Sequence, residues 1–152
     1  MDLQQYLENE PKKAYGLIIA SSAAIQILSA SIIAILGLSS KSSVFIGDLP
    51  ASIVIAIHVV LWLSVVFFSP IMEEFVFRKF LWSLIERVSP KAALVGTSIA
   101  FSLVHIDPVT IAGLMPISFF LGWLRLKTGS VYASILSHCS YNLTGLAIIL
   151  VT

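Results

Sequence analysis

The chain is 152 residues long, 58% hydrophobic and only 11% charged, with a formal net charge of +1 and a mean hydropathy of +0.99. Soluble domains carry about a quarter charged residues, so this composition excludes a water-facing surface over much of the molecule and makes lipid the solvent of its exterior. The absence of any basic run argues against a nucleic-acid partner, and a single cysteine, Cys139, excludes an intramolecular disulfide.

A membrane-crossing helix takes about 20 mostly apolar residues. The first such run, Ala14–Leu38, is 25 residues long. It exceeds a signal-peptide core and lacks a distinct cleavage pattern, so it is expected to remain as an N-terminal accessory helix and anchor. Ala51–Val88 follows, interrupted at Ser69-Pro70. As one straight helix it would measure about 57 Å, too long for one crossing, so Pro70 is expected to kink it or one end to lie along the interface. The remaining runs are Ala92–His105, Thr110–Leu126 and Val131–Val151. Breaks at Gly37 to Pro50, Ser89-Pro90, Asp107-Pro108 and Thr128-Gly129 each contain a residue that ends helices. No alternating strand pattern is present, and continuous apolar runs satisfy their backbone in lipid as helices. The expected fold is therefore all-α. It is a polytopic membrane helix bundle of about five to six transmembrane segments, one domain over residues 1–152 with a core at 70–144.

Basic residues set orientation. With Ala51–Val88 as one bent crossing, Lys12, Lys13, Arg87, Lys91, Arg125 and Lys127 fall on one side and Lys41 on the other. The basic side is expected to be cytoplasmic, with the N-terminus there and the C-terminus outside.

Ionisable groups at membrane depth cost at least ~2.5–3.5 kcal/mol each and read as functional. Two adjacent carboxylates and an arginine, Glu73, Glu74 and Arg78, interrupt an apolar run. Glu74 and Arg78 are four apart and can pair on one helix face. Glu73 points about 100° away, so one carboxylate can be held by arginine while the other faces a cavity. Glu74 precedes Ser89 by 15 positions and His105 follows Pro90 by 15, which puts both roughly 22 Å from that turn by helical rise. Phe101 falls level with Arg78 on the same count. From the Thr128-Gly129 turn, His138 and Asn142 reach the same layer, one helical turn apart on one face. Such a layer supports hydrolysis. A carboxylate near an imidazole can deprotonate water, and a second imidazole with an amide can donate to an oxyanion. The Glu/His/His set also matches the donor types of zinc, while no H-E-x-x-H helix is present; zinc and metal-free chemistry both stay open.

These residues resemble the CAAX-protease and bacteriocin-processing family of intramembrane endopeptidases. The family's Glu-Glu-x-x-x-Arg stands as Glu73 to Arg78, its Phe-x-x-x-His as Phe101 to His105, and its His-x-x-x-Asn as His138 to Asn142. The segment Thr128 to Ile135 is similar to the Gly-Ser-Ile-x-x-Ser-Ile run that precedes the third motif. The resemblance implies an all-helical fold with a cavity open to the membrane and cleavage of a membrane-associated protein or peptide. It implies that Glu73 activates water with His105, that His138 and Asn142 stabilise the oxyanion, and that Glu74 and Arg78 shape the site. Family members are described both as zinc enzymes and as glutamate proteases, so the resemblance leaves the cofactor open. Lys79 departs from the small residue usual at its position. The chain is also shorter than the eukaryotic CAAX enzymes, which argues against a prenylated substrate; a prokaryotic cell membrane is the expected location.

Rival readings are a non-catalytic immunity or scaffold member of the family, and a small proton-coupled transporter using Glu73 and Glu74 as a relay. Asp107 reads as a turn and cap, His58 as structural, and Cys139 as lying on a different helix face from His138. Trp62, Trp82 and Trp123 read as belt or packing residues, and Arg87, Lys91, Arg125 and Lys127 as anchors. The sequence leaves the oligomeric state open.

Overall fold

Backbone groups in an apolar run must find partners within the chain once water is excluded. In the computed structural model, which describes residues 3–37 and 50–151, they find them in helices, and no strand occurs among the described residues. We name these α1 (Leu3–Asn9), α2 (Pro11–Ile35), α3 (Ala51–Ile85), α4 (Pro90–Leu103), α5 (Pro108–Thr128) and α6 (Val131–Val151). The all-α polytopic bundle is thus what forms. Among the described residues four helices, α2, α3, α5 and α6, are long and apolar enough to cross a membrane. Helix α4 has 14 residues; at about 21 Å it falls short of a ~30 Å hydrocarbon core by itself. Leu38, Lys41 and most of the Gly37 to Pro50 break lie outside the described residues.

The helix ends follow from the residues found there. Ser89 accepts from Ala92 N and Pro90 opens α4, where a missing N–H costs nothing. Asp107 accepts from the Thr110 amide and hydroxyl at 2.8 and 2.7 Å and caps α5. Gly129 closes α5 in the left-handed region at φ 64, a conformation glycine adopts without a Cβ clash. Between α4 and α5, Ile106 takes φ 63, strained for a β-branched residue.

Helix α3 runs unbroken through Pro70, by widening rather than ending. Two π-helical stretches, Ser64–Phe68 and Phe75–Leu81, lie on either side of the α-helical turn Ser69–Glu74. The wider winding moves the carbonyl that would collide with the proline ring.

The bundle is apolar outside and polar within. Ile53, Ile55, Val60, Phe67 and Phe80 of α3 are exposed, while Glu74, Arg78, Thr97, Ser98, Ser102, Ser118, Ser134 and Ser137 are fully buried. Hydroxyls link helices where water cannot: Ser22 and Ser137 join α2 to α6 at 2.7 Å, as expected when lipid removes the hydrophobic drive between helices. Helix α1 packs its Leu3 and Leu7 against Ile18, Leu124 and Ala133. The start of α2, the end of α5 and the start of α6 therefore share one end of the molecule.

Candidate active site

The site is built on the α-helical turn between the two π stretches of α3. Glu74 and Arg78, four apart, both point inward, and their side chains are wholly buried with Arg78 Nε 3.5 Å from Glu74 Oε2. That contact is an ion pair rather than a hydrogen bond, and the guanidinium is held elsewhere. Its Nη2 donates to both the carbonyl and the hydroxyl of Ser118 at 2.9 Å. Ser118 is fixed in turn by α4: Ser98 Oγ donates to Ser118 O at 3.0 Å and Ser118 Oγ to Ser98 O at 2.8 Å. Phe101 covers the flat face of the guanidinium, 4.6 Å from Cζ to the ring centre, a favourable cation–π arrangement away from water.

Across from α3, His138 on α6 reaches both carboxylates. Its Nδ1 lies 3.1 Å from Glu74 Oε1 and its Nε2 3.7 Å from Glu73 Oε2. A carboxylate only accepts, so Nδ1 carries the proton toward Glu74 and Nε2 faces Glu73. Glu73 is the open member of the cluster: its side chain is 28% exposed where that of Glu74 is 0%. Ser69 Oγ, one turn earlier, donates to Glu73 Oε1. Glu74 is thus the glutamate paired with the arginine, and Glu73 is the partly exposed one.

The other two predicted residues stand apart from the carboxylates. Helix α4 stops at Leu103, so His105 sits in the turn beyond it. Its Nδ1 donates to Phe101 O at 3.0 Å, which leaves Nε2 as the nitrogen with a free lone pair. His105 forms no ion pair with either glutamate; the Phe101 ring lies 5.3 Å from the His105 ring and 5.4 Å from His138. Asn142 Nδ2 donates to Val65 O at 2.8 Å, on the first π stretch. Lys79, the departure from the motif, is exposed with its ammonium 4.8 Å over the Phe75 ring, clear of the cluster. His58 bonds back to Val54 O on the exposed face of α3. Sequence reasoning missed Ser69, Ser98 and Ser118, because serines recur along these helices and none stands in a motif.

The residues from 55 to 144, more than half of the chain, match the family model described as type II CAAX prenyl endopeptidase Rce1-like. The chain belongs to the Rce1-like family. No curated protein and no solved structure gives a significant match. The matched span holds all three motifs and every residue of the cluster. Membership in the Rce1-like family makes the chain a CAAX-type membrane endopeptidase, integral to the bilayer through its apolar helices.

A zinc ion, which the Glu/His/His pattern leaves open, does not fit this donor arrangement. Zinc needs three or four donors within about 2.0–2.3 Å of one point, and no three His, Cys, Asp or Glu side chains converge that way among the described residues. Glu74 is already engaged by the buried guanidinium of Arg78, which would also repel a dication.

Proposed function

We propose that this chain hydrolyses a peptide bond in a membrane-associated protein or peptide, with Glu73 deprotonating the attacking water. The observation that carries the reading is His138 lying between two unlike carboxylates, Glu74 buried against Arg78 and Glu73 open to the site. Arg78 balances the charge of Glu74, so the two glutamates need not compete for one proton. Glu74 in turn holds His138 Nδ1–H, which fixes the ring so that Nε2 faces the space beside Glu73. A water bonded to Glu73 there gives up its proton to the carboxylate as its oxygen attacks the scissile carbonyl. Glu73 then passes that proton to His138 Nε2, 3.7 Å away, whose N–H donates to the developing oxyanion and is given up to the leaving amine as the C–N bond breaks. His105, with Nε2 free, is the second group able to orient the water. The remaining amide hydrogen of Asn142 joins His138 at the oxyanion as the substrate backbone settles. The substrate lies in the bilayer beside α3 and α6, and the basic end of the bundle faces the cytoplasm.

The test compares wild type with Glu73→Gln, Glu74→Gln and His105→Ala in proteoliposomes carrying a quenched membrane-anchored peptide, with and without chelator. Loss of a general base lowers kcat by about 10²–10⁴-fold, and Glu73→Gln is expected to do so with KM little changed. Full activity in Glu73→Gln would sink the assignment. Activity abolished by chelator and restored by zinc would replace the metal-free mechanism, and proton flux without cleavage would favour a relay.

A further inference from the structure

The two π stretches leave a mark on the backbone that two other helices answer. In an unbroken α-helix Ser69 N–H would pair with Val65 O, four residues back. It pairs instead with Ser64 O. The next residue, Pro70, has no N–H to offer, so Val65 O is passed over. Asn142 of α6 supplies the missing donor at 2.8 Å. The second stretch repeats the pattern. Trp82 N–H would pair with Arg78 O in an α-helix, yet it reaches Lys79 O and Phe77 O. Arg78 O is the carbonyl passed over, and Arg125 Nε of α5 donates to it at 3.1 Å. Each wide turn thus frees one carbonyl, and each freed carbonyl accepts from a different neighbouring helix. The two ties bracket Glu73 and Glu74 along α3.

We propose that Arg125 is a positioning residue for the carboxylate–histidine cluster, acting through the second wide turn of α3. The proposal rests on the reading of Glu73 and His138 given above. An arginine serving only as an interfacial anchor would extend its charge toward headgroups and water. Arg125 instead folds back, its guanidinium 5.5 Å from the centre of the Trp82 ring. Trp82 is 2% exposed and its own Nε1 donates to Glu86 Oε2 at 2.7 Å. Arg125 therefore grips α3 at the residue whose side chain neutralises Glu74: it holds the carbonyl of Arg78 while Ser118 holds the guanidinium. Both contacts come from α5, so rotation of α3 about its axis, which would swing Glu74 off His138, is resisted from both ends of one residue. An unpaired carbonyl in lipid is strongly disfavoured, which gives the wide turn a reason to stay only while Arg125 is there.

Two substitutions separate the donor from the charge. In Arg125→Gln the side-chain amide nitrogen stands where Nε stood, keeping the donor and losing the charge. In Arg125→Lys a methylene stands there, keeping the charge and moving the donor one bond outward. Each full-length variant is reconstituted and assayed on the membrane-anchored peptide, and backbone amide exchange is followed by mass spectrometry. Positioning predicts Arg125→Gln within about threefold of wild type in kcat. It predicts Arg125→Lys about tenfold or more down in kcat at unchanged KM, with faster exchange confined to residues 79–86. Exchange over 79–86 equal to wild type in Arg125→Lys would remove the tie and overturn the proposal. So would faster exchange throughout the bundle, which would mark Arg125 as a general support, or activity retained by Lys and lost by Gln, which would mark it as a charge anchor. Exchange changed locally with kcat untouched would also overturn it. Should wild type fail to cleave the peptide, the hydrolytic reading falls while the exchange data still decide the tie.

Discussion

At the scale of single residues, the energetics of the cluster turn on Arg78. A buried ion pair contributes little net stability, but removing one partner leaves an uncompensated charge at a cost of about 3–5 kcal/mol. Arg78 and Glu74 are both 0% exposed, so solvent cannot soften that cost. Arg78→Leu is accordingly expected to lose at least about 3 kcal/mol of stability in detergent unfolding, while Arg78→Leu with Glu74→Leu recovers much of it. A double variant no more stable than the single one would show that the two charges are not coupled. Arg78→Lys should recover only part, because one ammonium cannot reach Glu74, the two Ser118 acceptors and the Phe101 face together. The Glu74–Arg78 pair was legible in the sequence, since four-residue spacing forces it. The level of His105 was less so. Counting by helical rise assumes that the helix continues to His105, whereas α4 ends at Leu103 and Ile106 turns the chain at φ 63. Nothing in the run Leu103 to Ile106 carries a breaking signal; the stop comes from Asp107-Pro108 just beyond.

At the scale of elements, the breaks at Ser89-Pro90, Asp107-Pro108 and Thr128-Gly129 were readable because each is local chemistry: a cap, a proline at the first helical position, a left-handed glycine. The π stretches were not readable. Whether a helix widens at Pro70 or kinks depends on a donor for the carbonyl left over, and that donor, Asn142, comes from 77 residues away. The close approach of α4 and α5 is equally tertiary. A Cβ on Gly122 would sit 2.8 Å from Ser98 Oγ and 3.5 Å from Leu94 O. Ser98 cannot easily move, because it is bonded to the serine that holds Arg78. Gly122→Ala is expected to destabilise by about 1–3 kcal/mol, the usual cost of overpacking, and to lower cleavage through Arg78. Adding Ser98→Ala should restore stability by making room without restoring full activity, since Ser118 then loses a partner. Unfolding curves of the two variants check the first claim and kcat the second. A Gly122→Ala chain as stable as wild type would show that the helices are not held at this distance.

At the scale of the whole molecule, the apolar shell and polar interior were set by composition alone, because so few charges cannot cover a soluble surface. Orientation is a separate matter, and it follows from where the bundle collects its cations. Helix α1 lies against Leu124, which brings Lys12 and Lys13 to the end of the molecule that holds Arg125 and Lys127. Arg125 reaches Arg78 O and stacks on Trp82, so Arg87 and Lys91, at the turn just beyond, belong to that end as well. By the positive-inside rule this end is expected to face the cytoplasm. The expectation is checked with single cysteines in a Cys139→Ser chain, at exposed positions chosen to leave every basic residue in place. Val88→Cys, in the α3–α4 turn and 83% exposed, should react with an impermeant maleimide only after the cells are opened. Val151→Cys, at the far end of α6 and 83% exposed, should react on intact cells. The reverse pattern would invert the topology, and equal labelling at both positions would mean that the chain inserts in both directions. Ile106→Cys adds a measure of depth. Because α4 rises only about 21 Å from the basic end, the turn carrying His105 is expected to stop below the outer surface of a ~30 Å core. That cysteine should therefore label from outside, but more slowly than Val151→Cys.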